Sequence, residues 1–84
     1  MEPEFLMKVM ELNEEVVELG GDETQLREFA EDVRKEFDNY VEKITVAFRD
    51  GDVDIARKLV AEMKYYDNII GKIRKLETTL GILD

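Results

Sequence analysis

The sequence predicts an all-α fold: a three-helix, up-down-up bundle with two long antiparallel helices and a shorter N-terminal helix. Three observations carry that expectation: the positions of proline and glycine, the heptad spacing of apolar residues in two long segments, and a tight turn between those segments. The 84 residues contain one proline, Pro3, and five glycines, Gly20, Gly21, Gly51, Gly71 and Gly81. Pro3 suits the first turn of a helix, where its missing N–H costs nothing. Gly20-Gly21 and Gly51 suit helix ends. The chain therefore divides into helical segments over residues 3–19, 23–49 and 53–80. Asp22 with Gln25 makes a capping-box-like start to the second, and Asp52 is a candidate N-cap for the third.

The second segment has the cleanest period. Leu26, Ala30, Val33, Phe37, Tyr40, Ile44 and Ala47 follow alternating four- and three-residue steps, the spacing of one helix face. The third repeats it with Ala56, Leu59, Met63, Tyr66, Ile70 and Ile73, and the line reaches Leu80. At a rise of 1.5 Å per residue, each long helix spans about 40 Å. The "RDGD" turn forces the two to run antiparallel, and the first helix packs along them. Gly71 falls inside the third helix, at a cost of about 1 kcal/mol relative to alanine. Close approach of a neighbour and a bend both fit it, and the pattern does not choose between them. Residues 1–84 make one small helical domain with no room for a second core.

Composition narrows the function. There is no cysteine and no histidine, which rules out disulfides, thiolate zinc sites and imidazole ligands. Cysteine-free folding needs no oxidising compartment. Twenty-one acidic residues against twelve basic ones give a net charge of −9. That balance repels phosphate backbones, so nucleic acid is not expected as a partner, whereas a basic protein surface suits it. No apolar run approaches the roughly 20 residues of a membrane span, and no basic-then-apolar leader opens the chain. No membrane partner is expected.

The first helix stands out as a surface. At 100° per residue, Phe5, Val9, Leu12, Val16 and Leu19 share an arc of about 80°, an ordinary core stripe. Beside it runs a second line of Leu6, Met10, Asn13 and Val17, which widens the apolar face to about 180°. Further round come Met7, Glu14, Glu18 and Glu11, while Lys8 sits on the opposite flank. Two readings fit. The helix either lies in the groove between the long helices and uses its whole wide face, or it leaves Leu6, Met7 and Met10 exposed beside a row of acids. The second arrangement describes a protein-docking site. In the third helix, Tyr66 keeps the core register, but Tyr65 turns by 100° to the margin, near Ile69 and Leu76. It is either a boundary residue or an interface anchor.

Other chemistry is set aside. "DGDVDIARKLVAE" starts like a calcium loop, with Asp50, Asp52 and Asp54, but Ile55 replaces the required glycine and Ala61 the bidentate glutamate. A turn with a helix cap explains these aspartates better. Glu14-Glu15 and Glu31-Asp32 are sequence neighbours that point apart on a helix, so they make no acid/base pair. Arg34, Lys35, Lys64 and Arg74 read as solvated faces and helix ends, so a chorismate-mutase-like helical enzyme is the least favoured class. No catalytic residue, cofactor or metal ligand is expected.

The stretches "EFLMKVMELNEEVVEL", "REFAEDVRKEFDNYVEKITVAF" and "GDVDIARKLVAEMKYYDNIIGKI" resemble the C-terminal domain of the HscB family, J-type co-chaperones of iron–sulfur cluster biogenesis. The resemblance covers nearly all of the chain and is most specific in the "FLM…ME.NE" opening and the "A…L..MKYYDNI" stretch. It implies a three-helix bundle that binds the cluster scaffold protein, of the IscU type, for delivery to a DnaK-type chaperone. It assigns apolar scaffold contact to Leu6, Met7 and Met10, acidic contact to Glu11, Glu14 and Glu18, and the aromatic position to Tyr65. It also implies a mitochondrial matrix or bacterial cytoplasmic setting, with the cluster held by the scaffold. Without histidine this sequence cannot hold the His-Pro-Asp tripeptide of a J-domain, so that domain is read as absent and the chaperone contact with it. The alternative from another class is a helical module that self-associates through the same wide face.

Overall fold

Each predicted helix forms. The computed structural model describes residues 2–81; Met1 and residues 82–84 of the expected domain lie outside that range. Helix α1 is Pro3–Glu18, α2 is Glu23–Arg49 and α3 is Val53–Thr79, with no strand among the described residues. Pro3 opens α1. The Asp22 carboxylate accepts from the Gln25 backbone N–H at 3.1 Å and from its side-chain amide at 2.9 Å. Asp22 is thus an N-cap, although Gln25 returns its bond to the Asp22 side chain rather than to the backbone. Asp52 caps α3 by accepting from the Ile55 N–H at 3.2 Å. Gly51 has a φ of +73°, which a side chain would oppose. That single residue lets α2 reverse into α3, and it accounts for the aspartates around it as turn and cap.

The core lies where all three helices meet. Val9 and Val16 of α1, Leu26, Phe29, Ala30 and Val33 of α2, and Tyr66, Ile69, Ile70 and Ile73 of α3 form one buried cluster. Phe5, Leu12, Leu19, Phe37, Tyr40 and Leu76 pack against it. Helix α1 rests mainly on α3. It therefore does not fill the inter-helix groove evenly, and its second apolar line stays uncovered.

Two apolar positions of α3 differ from the sequence pattern. Ile69 was expected at the margin beside Tyr65, yet it is fully buried. Because α1 leans on that side of α3, the core arc of α3 is wider than one heptad stripe. Leu80 was expected to extend the core line, but it is the exposed C-cap residue of α3. The last turn runs past the end of α1, so nothing is left for it to pack on.

The α2–α3 hairpin outruns α1. The Cα atoms span 43 × 29 × 16 Å, the long dimension being that of one long helix. The Glu2 carboxylate meets Lys58 at 3.0 Å, which places the start of α1 beside the second turn of α3. Beyond that point only Ala47 and Ala56 are buried, whereas Val41, Val46, Phe48, Val53 and Ile55 are exposed.

Gly71 falls on an exposed face of α3, and a Cβ there would meet nothing within 4 Å. Close approach within the chain is therefore not its reason. Gly71→Ala is expected to stabilise the fold by about 1 kcal/mol, the helix-propensity difference. A urea titration checks this, and an unchanged or lowered midpoint would count against an unstrained helix at that position.

Tyr40 and Tyr66 pack as tilted rings 5.2 Å apart between centroids, and Phe5 closes the group at 6.3 Å from Tyr66. Burial pushes both phenols up, Tyr40 to about 12 from its ordinary 10.0, with the nearby Glu62 and Glu36 carboxylates adding to the effect. The folded state thus keeps protons that the unfolded chain releases above pH 10, so stability is intact below that pH and falls as pH rises toward 12. Tyr40→Phe should flatten this alkaline loss in denaturant titrations; an unaltered slope would show that Tyr40 is not its source.

Candidate protein-docking site

The face of α1 turned away from the core is open. Leu6 is 37% exposed, Met7 61%, Met10 62% and Val17 77%. Of these, Val17 borders a shallow groove with Lys72 of α3. Tyr65 of α3 is 37% exposed and meets Phe5 edge-on at 5.8 Å. The core residue of α1 thus holds one face of the ring while the rest stays accessible. Asn13, on the second line of α1, and Tyr65 line one recess of about 630 Å³, so the two helices present their margins on the same side. An apolar strip of methionine, leucine and tyrosine is suited to close contact with another protein.

Charge frames the strip. Glu11, Glu14 and Glu18 are exposed along its outer edge. On the opposite flank of α1, Lys8 reaches the Glu36 carboxylate of α2 at 3.1 Å and is thereby turned away from the strip. Residues 1–40 carry thirteen acidic and four basic side chains, which accounts for the whole net charge of −9, while residues 41–84 balance at eight of each. The acidic character therefore belongs to α1 and the first half of α2. The local field at α1 is far more negative than an even spread of −9 would produce.

The sequence model of the family described as the HSCB C-terminal oligomerisation domain matches residues 1–74. The chain belongs to that family. The mouse (Mus musculus) iron-sulfur cluster co-chaperone protein HscB is 32% identical over 77 residues, covering 92% of this chain and 32% of that protein. The human (Homo sapiens) iron-sulfur cluster co-chaperone protein HscB is 28% identical over 74 residues, 88% of this chain and 31% of that protein. The chain spans about a third of the length of these curated relatives. No solved structure matches it.

In this HSCB-type C-terminal domain, two polar features escaped the sequence pattern. Arg34 is not simply part of a solvated face: its guanidinium donates to Glu77 at 2.8 Å, and Glu77 is buried. The pair ties the first half of α2 to the end of α3. Nothing in a helical period signals it, because the partners are 43 residues apart. The second feature is Lys72, whose ammonium donates to the Asn13 side-chain carbonyl across the α1–α3 seam. Counting onward from Tyr65 at helical spacing reaches Lys72 but not its partner on α1.

Proposed function

We propose that this HSCB-type domain is the scaffold-docking part of an iron–sulfur cluster co-chaperone. It binds a cluster scaffold protein of the IscU type through Leu6, Met7, Met10 and Tyr65, with Glu11, Glu14 and Glu18 as the charged rim. The reading is supported chiefly by one observation: the open apolar strip of α1, whose Asn13 shares a recess with Tyr65, in a chain of a family whose curated relatives are named iron-sulfur cluster co-chaperones. Presentation to a DnaK-type chaperone is assigned to a J-domain and not to these residues. The single folded unit holds no catalytic role in this scheme, and its setting is the mitochondrial matrix or the bacterial cytoplasm.

As a mechanism, the acids of α1 attract a basic scaffold surface and orient it, and the apolar side chains then hold the contact. Calorimetric titration of the chain with an IscU-type scaffold tests the reading. Saturable binding is expected; no complex by calorimetry and by co-sedimentation at tens of micromolar would end it. Glu14→Lys with Glu18→Lys should slow association and reduce its salt dependence, because steering acts through screened charge. Equal rates at low salt would remove the steering role.

A second reading has the matched family's own description in its favour, since it is termed an oligomerisation domain. Here a second copy occupies the α1 strip. Sedimentation at micromolar concentration separates the two: a dimer that Met10→Glu dissociates would place a second copy where the scaffold is proposed to sit.

A further inference from the structure

The acidic rim of α1 has a basic counterpart on α3. From Tyr65, α3 continues with Asn68, Lys72 and Lys75 at three- and four-residue steps, within an arc of about 80°. No acidic residue falls on that line. Lys72, Arg74 and Lys75 line the recess that Tyr65 and Asn13 share, against one acidic residue there, Asp67. Neither lysine forms an ion pair among the described residues. Lys72 also borders the shallow groove of Asn13, Glu14, Val17 and Glu18. It therefore stands where the acidic and basic flanks meet, and its bond to Asn13 fixes its stem across the seam.

We infer that the docking face is bipolar: it takes a partner surface whose apolar centre is flanked by basic groups on the α1 side and by carboxylates on the α3 side, with Lys72 and Lys75 receiving those carboxylates. The inference rests on the scaffold-docking reading and adds the orientation of the bound partner. A face of one sign would attract a basic protein but leave it free to rotate about the apolar contact. Opposite signs on two edges select one alignment and penalise its reverse by bringing like charges together. Gly71 lines the same recess, and its missing side chain leaves the space beside Lys72 open to a partner's main chain.

Association kinetics of the chain with the IscU-type scaffold decide the matter. Lys75→Glu, which touches no residue of α1 in an ion pair, and the double variant Lys72→Glu with Lys75→Glu are compared with the wild type at low and at moderate salt. Bipolar docking requires both variants to associate more slowly, by about fivefold at low salt for the double variant. Attraction by net negative charge alone requires the opposite, since each substitution makes the chain more acidic. Equal or faster association of Lys75→Glu, with helical content unchanged, overturns the inference and leaves the docking reading standing. No binding by the wild type removes both.

Discussion

Leu6→Ala is expected to weaken scaffold binding about 30-fold without changing the helical circular dichroism signal. A leucine side chain transferred fully from water into an interface contributes about 1.5–3 kcal/mol, and an anchor residue of an interface costs 2 kcal/mol or more when truncated, about 30-fold in affinity. In the free chain Leu6 lies outside the buried cluster but is only 37% exposed, so the titration of Leu6→Ala is read beside its own unfolding curve. Met10→Ala is the cleaner probe because Met10 is more exposed still. Tyr65→Ala needs more care, since it also removes the edge contact with Phe5, so Tyr65→Ala is read beside its own unfolding curve. Titration of each variant against the scaffold checks the set. Unchanged affinity in both Leu6→Ala and Met10→Ala would remove α1 from the interface, whatever Tyr65 does.

Ile69→Ala is expected to cost 2–5 kcal/mol of stability, through lost burial and the cavity left behind. Ile69 has no exposed surface, packed in the cluster that all three helices share. A domain of this size has a total stability of about 5–15 kcal/mol, so the variant should melt at least ten degrees lower. Thermal and urea unfolding provide the measure. A cost below about 1 kcal/mol would mean that α1 does not close over α3 at Ile69.

The helices were legible because their signals are local. Pro3, Asp22, Asp52 and Gly51 mark their starts and their turn within a few residues, and the heptad lines of α2 and α3 mark the shared core. Legibility stopped where the position of α1 mattered. A period tells which side of α3 faces α2, but the tilt of α1 onto α3 determines that Ile69 is buried and Tyr65 is not. The same tilt leaves Leu6 and Met10 uncovered, which the width of the apolar face left open. Phe29 is buried for a related reason: it lies off the α2 heptad line, yet it borders a recess with Leu12 and Tyr66 where α1 crosses. The basic flank was missed because lysines on a helix look alike in sequence. Only Asn13 across the seam distinguishes Lys72 from Lys64.

The projecting end of the hairpin has a consequence for motion. Its two strands of helix, from about Ile44 to Ala56, hold each other through small alanines and receive no third layer. Their hydrogen bonds can break without disturbing Leu26, Ile69 or Ile73 at the other end. Partial opening from Gly51 inward therefore breaks no contact of the three-helix core, and it leaves the surface of α1 intact throughout.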